Sequence, residues 1–348
     1  MALSSSPQSC RLGARGCCSI EDSVDAARAA ETLGIPFYVW DLAEEFEDSV
    51  IDDFVTQYRM GRTPNPCVRC NEFVKFRELA ARARALGFDA VCTGHYARVT
   101  CEDGRYSLLR ARDAKKDQSY VLAVMGEEEL PRVVLPLGDV ASKAEVRAEA
   151  ERRGLGVSDK PDSYDICFIP DGDTQGFLRA RLGERRGAIV DTEGRVLGEH
   201  RGYFEYTVGQ RKGLGIDRPA EDGRPRYVLE TRPETNEVVV GASELLSVNT
   251  VDASDVVWMA GDDDAEVRTV DESHLGKDED QCLWAQMRAH GEPVPVTAVT
   301  RSAVTGRGDR LSVTLARTVR AIAAGQSLVL YRGTRVIAHA VIESARRL

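Results

Sequence analysis

The run Gly61-Arg62-Thr63-Pro64-Asn65-Pro66-Cys67-Val68-Arg69-Cys70-Asn71, continued by Glu72-Phe73-Val74-Lys75-Phe76, decides how the first half of the chain is read. Pro64 and Pro66 set their own backbone dihedral and bias the residues before them to extended conformations, so the stretch begins as a stiff, non-helical arm. From Asn71 to about Leu86 the apolar residues Phe73, Phe76, Leu79, Ala80, Ala83 and Leu86 recur at helical spacing, with Asn71 as the expected cap. Cys70 is then expected at a helix N-terminus beside Arg69 and near Lys75, where the dipole and the cations favour the thiolate. Three other readings of Cys67-x-x-Cys70 stay open: half of a zinc site, a thioredoxin-like redox pair, or two inert thiols. Only Cys17 and Cys18 are placed to complete a zinc site, because no second C-x-x-C occurs among the nine cysteines.

Working outward, 348 residues suffice for two or three domains with their own cores. No apolar run is long enough to span a membrane, and the first residues lack the charged and apolar regions of a signal peptide. A cytoplasmic protein with reduced thiols is expected, in which any disulfide is transient and catalytic. The formal charge is −10, but it is unevenly spread. Residues 58–116 hold 13 Lys/Arg against 6 Asp/Glu, a balance of +7, whereas residues 244–282 hold 2 against 12, a balance of −10. The region around the two cysteines can therefore receive a polyanion, although solvated helix faces account equally for these arginines.

Ser19-Ile20-Glu21-Asp22 predicts a capped helix ending at Gly34, followed by a buried strand over 35–40 and a helix over 44–58. After the arm and its helix, a short strand over 88–93 runs into Gly94-His95, at the strand edge where ligands of open α/β sheets gather. Ser142-Lys143-Ala144-Glu145 caps a further helix, and another is expected over 174–182. Hairpins are predicted over 190–196 and 228–240. Between them, residues 206–216 form a glycine-rich basic loop suited to phosphates. Alternating patterns beyond residue 248 suggest a small β-barrel.

Taken together, the blocks 61–76, 93–98, 116–120, 163–169, 200–216 and 321–331 resemble the tRNA-specific 2-thiouridylases, the MnmA/TrmU family, in their actinobacterial form. The resemblance implies an α/β fold class. An N-terminal adenine-nucleotide alpha-hydrolase-like domain (a PP-loop ATPase, Rossmann-like), truncated at its start, would cover 1–135, with a loop over 156–174 returning to the active site. A small mixed central tRNA-binding domain would cover 136–240 and a C-terminal β-barrel 248–348. The implied enzyme is a sulfurtransferase that adenylates C2 of the wobble uridine with ATP and Mg2+ and then replaces the oxygen by sulfur. By the same resemblance Cys167 carries the persulfide and Cys70 is the nucleophile that attacks it, freeing sulfide or closing a Cys70–Cys167 disulfide. Asn65, Pro66 and Cys67 hold the extruded target base. Gly94 and Met1 contact ATP, and His95, Lys116, Asp117, Gln118, Arg288, Ala289 and Gln326 contact tRNA. The implied partners are a tRNA and a cysteine desulfurase or sulfur relay protein.

Three departures from the family pattern stand out. Cys67 replaces an aspartate, Arg288-Ala289 replaces an Arg-Tyr pair, and the phosphate-cradling Ser-Gly-Gly-Val-Asp-Ser loop does not occur, so weak adenylation by the chain as written is expected. Two rival readings follow: a catalytically inactive tRNA-binding remnant, or a thiol and persulfide carrier.

Overall fold

The computed structural model describes residues 2–4, 20–160, 166–216, 223–259, 282–304 and 308–347. Met1, Cys17, Cys18 and Ser163 lie outside the described residues, as does most of the acidic run. The chain divides into two compact units, Met1–Asp53 with Pro66–Thr174, and Phe54–Asn65 with Gln175–Leu348.

The first unit is α/β. Strands β1 (Ala2–Ser4) and β2 (Val39–Asp41) pair in parallel, with Leu3 opposite Trp40. Strand β3 (Val91–Cys92) pairs in parallel with a later short strand over 133–134. Between them β4 (Ala97–Glu102) and β5 (Arg105–Arg110) form an antiparallel hairpin, turned by Asp103 and Gly104 at φ of 48° and 79°. Asp-Gly between alternating residues is the ordinary signal for such a turn. The later strand, Val133–Val134, is β6. The helix Ile20–Leu33 stops at Gly34, whose φ is 64°, and the helix Lys143–Arg152 is capped by Ser142, whose hydroxyl accepts from the Glu145 amide.

Two expectations about this unit need correction. The strand over 35–40 is neither long nor buried: only Val39–Asp41 is extended, and Ile35, Tyr38 and Val39 are 55, 57 and 50% exposed. With a single three-residue neighbour among the described residues, β2 has no second strand to cover it. The helix after the arm also begins earlier. It starts at Pro66 rather than Asn71, because a proline loses nothing at a first helical position where its missing N–H has no intrahelical partner. It then widens to i→i+5 spacing over Cys70–Leu79 and returns to α geometry over Ala80–Ala85. Each wide turn holds about one extra residue, so the buried face shifts to Asn71, Val74, Phe76, Leu79 and Ala83. Phe73 instead lies beneath the guanidinium groups of Arg69 and Arg77, at 5.7 and 4.5 Å from its ring centre.

The second unit is almost entirely β after the helix Thr174–Leu182. Both predicted hairpins form, from β7 (Gly187–Val190) with β8 (Val196–His200) and from β9 (Tyr227–Arg232) with β10 (Glu237–Gly241). They join in the order β8-β7-β10-β9 through the parallel pair β7 and β10. Strands β11 (Ser247–Trp258), β12 (Leu283–Gln286), β13 (Val294–Val304), β14 (Gly308–Arg320), β15 (Ser327–Arg332) and β16 (Arg335–Arg346) follow the order β11-β14-β13-β12-β15-β16. Pairing of β11 with β16, Val251 opposite Ala345, closes the barrel that the alternating pattern predicts. Its interior holds Val251, Val313, Leu328 and Ile342 with no exposed surface, each contributing about 1.5–3 kcal/mol by burial. On the opposite face of β15 and β16, His339 and Ser327 are also buried and share a hydrogen bond of 2.8 Å.

Candidate active site

In the first unit Leu42, Val50, Val74 and Leu79 form an apolar cluster, against which Cys70 and Phe168 both pack. Phe168 stands edge-on to Phe46, ring centres 5.9 Å apart, and Ile169 beside it is 2% exposed. Cys167, half-buried like Cys70, is thus followed by the partly buried Phe168 and the buried Ile169, and Phe168 meets the same cluster that Cys70 touches. Cys67, one turn before Cys70, is exposed. Among the described residues no three His, Cys, Asp or Glu side chains gather to hold a metal, so the zinc reading of Cys67 and Cys70 gains no third ligand there.

The electrostatic setting of Cys70 differs from the expected one. Cys70 follows a full turn of helix, Pro66–Arg69, and is not at the N-terminus. Arg69 is engaged by Asp53 at 3.3 Å and Glu72 at 3.0 Å, which largely balance its charge. Asn71 caps nothing; it is 2% exposed and its Nδ2 donates to the Val121 carbonyl at 2.9 Å, tying the helix to the segment after Gln118. The cation that remains available is Lys75, for which the described residues include no carboxylate partner.

Lys75 lines a cavity of about 1090 Å³ together with Trp40, Leu79, Thr93, Gly94 and His95. Its Nζ lies 3.4 Å from His95 Nε2, and Thr93 Oγ1 lies 2.8 Å from His95 Nδ1. An ammonium only donates, so Nε2 accepts and Nδ1–H donates to the threonine, which assigns the neutral tautomer. Burial and the Lys75 charge push the His95 pKa down to about 3. A group held neutral in the fold, but free to protonate below 6.5 when unfolded, stabilises the fold fully above that pH. The contribution is lost progressively as pH falls toward 3. Chemical denaturation of wild type and His95→Gln between these limits checks this: the variant is expected to lose less stability on acidification.

The glycine after Thr93 leaves the cavity open to a ligand. A Cβ at Gly94 would meet only Leu137 Cδ1 at 3.8 Å, so protein packing does not demand glycine there. An adenine nucleotide fits such a site: apolar walls for the base, a bare backbone at the rim and one cation for a phosphate.

Of the polar cluster 116–118, Asp117 is turned inward. Its carboxylate takes Arg110 Nη1 at 2.9 Å, the Ala111 amide at 2.9 Å, the Ser119 amide at 3.2 Å and the Ser119 hydroxyl at 2.9 Å. Gln118 exchanges hydrogen bonds with the Tyr96 backbone, its Oε1 accepting from the amide at 2.9 Å. Asp117 and Gln118 therefore brace the turn that carries the half-buried Lys116.

In the second unit Arg288 is exposed and donates to the Arg320 carbonyl at 2.9 Å and to that of Ala321, with Ala289 beside it. Arg288, Arg317 and Arg320 border a cleft of about 390 Å³ on the barrel. Gln326 donates to the Thr63 carbonyl at 2.7 Å. The arm's root, Gly61, Arg62 and Thr63, thus belongs structurally with the barrel. Lys75, Thr93 and Arg62 were not singled out as site residues by sequence reading; Lys75, five positions after Cys70, was the most accessible of them.

Three family models match the chain in succession: a tRNA methyl transferase HUP domain over residues 1–171, a tRNA methyl transferase PRC-barrel domain over 175–242 and an aminomethyltransferase beta-barrel domain over 248–342. Among curated relatives, the tRNA-specific 2-thiouridylases MnmA of Kocuria rhizophila and Beutenbergia cavernae are each 55% identical, over 99% and 100% of this chain and 90% and 88% of their own. That of Streptomyces coelicolor is 53% identical over 100% of this chain and 88% of its own. These matches cover the whole chain, the arm, the cysteine segments, the four-stranded sheet and the barrel included, and on that ground the chain belongs to the tRNA-specific 2-thiouridylase family.

Proposed function

We propose that this protein is a tRNA sulfurtransferase that converts the wobble uridine of its tRNA substrates to 2-thiouridine. The observation that carries the reading is the packing of Cys70 and the Cys167-Phe168 segment on one apolar cluster, in the unit that holds the cavity of Gly94 and His95. Bound ATP, with Mg2+, supplies the activation that a uridine C2 oxygen needs to leave. Gly94 and the apolar walls would hold the nucleotide, and Lys75 would face its phosphates.

The remaining chemistry belongs to the chain. Cys167 accepts a sulfane sulfur from a cysteine desulfurase or a relay protein. The Cys70 thiolate then attacks the Cys167 sulfur of that persulfide and expels hydrosulfide toward the activated C2. A Cys70–Cys167 disulfide remains, to be reduced before the next turnover. Asn65, Pro66 and Cys67 would hold the extruded base, since its C2 cannot be reached in a stacked anticodon loop. Lys116 and Arg288, on basic surfaces, suit phosphate contacts whose strength falls with salt.

Mass spectrometry of nucleosides from tRNA incubated with the protein, ATP, Mg2+ and a persulfide donor tests the reading. The expected product is one uridine in which sulfur replaces oxygen, dependent on ATP. Sulfur transfer between thiols without ATP or tRNA would favour a persulfide carrier, and salt-sensitive tRNA binding without product would favour the binding remnant.

A further inference from the structure

Three consecutive residues at the root of the proline arm are held from two sides of the second unit. The Arg62 guanidinium makes a two-pronged contact with Glu343, Nη1 to Oε2 at 3.0 Å and Nη2 to Oε1 at 2.9 Å, and Nη2 also donates to the Ile342 carbonyl at 3.3 Å. Thr63 is tied through its backbone, its amide donating to the Ala324 carbonyl at 2.7 Å and its carbonyl accepting from Gln326 Nε2 at 2.7 Å. From the four-stranded sheet, the Thr231 hydroxyl donates to the Gly61 carbonyl at 3.0 Å. A Cβ at Gly61 would lie 2.9 Å from both Thr231 Oγ1 and Pro233 Cγ, and one at Gly325 would lie 3.1 Å from Arg62 Cβ and from the Thr63 amide nitrogen. Side chains of the sheet close on the Gly61 backbone, and at Gly325 backbone approaches backbone, each as closely as glycine permits.

Stability alone explains this poorly. Arg62 and Glu343 retain 21% and 37% side-chain exposure, and ion pairs of that kind contribute about 0–1 kcal/mol. A bidentate guanidinium–carboxylate contact does, however, fix direction as well as distance. The chain leaving this grip runs through Pro64, whose ring stiffens it, to Asn65 and Pro66. We propose that Arg62, Glu343 and Gln326 are positioning residues for the target uridine, holding the root of the arm so that its tip presents the base in one place. The proposal rests on the thiouridylase reading, and it gives Gln326 a role inside the protein.

The test uses the full chain, as wild type, Arg62→Ala, Glu343→Ala and the double reversal Arg62→Glu/Glu343→Arg. Its probe is a tRNA carrying 5-iodouridine at the wobble position, photocrosslinked to the protein. Each single variant is expected to raise hydrogen exchange at the Thr63 amide and to lower both crosslink yield and single-turnover thiolation by roughly tenfold or more, with tRNA affinity within about twofold of wild type. The double reversal is expected to recover most of the crosslink. Raised Thr63 exchange with undiminished crosslinking would overturn the positioning role, as would unchanged exchange in both single variants. Parallel loss of tRNA affinity and thermal stability would mark the contact as merely structural. A wild-type chain that neither binds nor crosslinks the tRNA would instead overturn the thiouridylase reading itself.

Discussion

Cys70→Ser is expected to lower thiolation of tRNA by on the order of 10⁴-fold or more, and Cys167→Ser to do the same, because a serine hydroxyl is almost wholly protonated at neutral pH and cannot carry sulfane sulfur. The double variant should be little worse than either single one, since residues acting on one sulfur are not additive. A persulfide assay separates the two roles: after loading by a donor, Cys70→Ser should retain a persulfide on Cys167, whereas Cys167→Ser should hold none there. Cys101→Ser, at the exposed end of the β4–β5 hairpin, serves as the control and should retain activity. Equal activity of Cys70→Ser and Cys101→Ser would remove the assignment. Both cysteine variants should fold normally, because each thiol is half-exposed and serine is nearly isosteric with it.

Asp117→Ala is expected to destabilise the protein by about 3 kcal/mol, since it strands a guanidinium and several N–H and O–H donors that water does not reach freely. The carboxylate is 7% exposed and is the shared acceptor for Arg110, Ala111 and Ser119. Thermal denaturation should show a midpoint lower by about 5–10 °C. Asp117→Asn keeps two acceptor positions but loses the charge opposite Arg110, and should fall between wild type and alanine. If tRNA affinity fell while the midpoint stayed in place, direct contact with the nucleic acid would be the better account of this residue. The family resemblance named Asp117 for tRNA; its hydrogen bonds make it the brace of the turn that carries Lys116.

Local patterns were legible along much of the chain. Ser142 and Glu145 announced a cap that forms, Gly34 ends the helix before it, and the two hairpins around 191–195 and 233–236 lie where their turn residues predicted. The closed barrel followed from alternation beyond residue 248. These features depend on neighbours in sequence, where propensity and periodicity act directly. The bounds and buried face of the helix carrying Cys70 are not legible in the sequence because two choices there are not local. Pro66 can end an extended arm or begin a helix, and the start was decided by packing of Val68 and Asn71 into the first unit. The wide turns over Cys70–Leu79 then moved the buried face away from the one that 3.6-residue periodicity selects.

The sequence by itself determined the fold class, the positions of the two cysteines that the family resemblance names and the arm between prolines, since motif order and the backbone restriction of proline are written along the chain. Only the tertiary structure decided what surrounds them. It neutralised Arg69 with Asp53 and Glu72, left Lys75 beside a histidine held uncharged, turned Asp117 inward, and tied Thr63 to Ala324 and Gln326. The physical reason is that charge, burial and hydrogen-bond partnership belong to pairs of groups, and a chain read alone gives the members of those pairs without saying which of them meet.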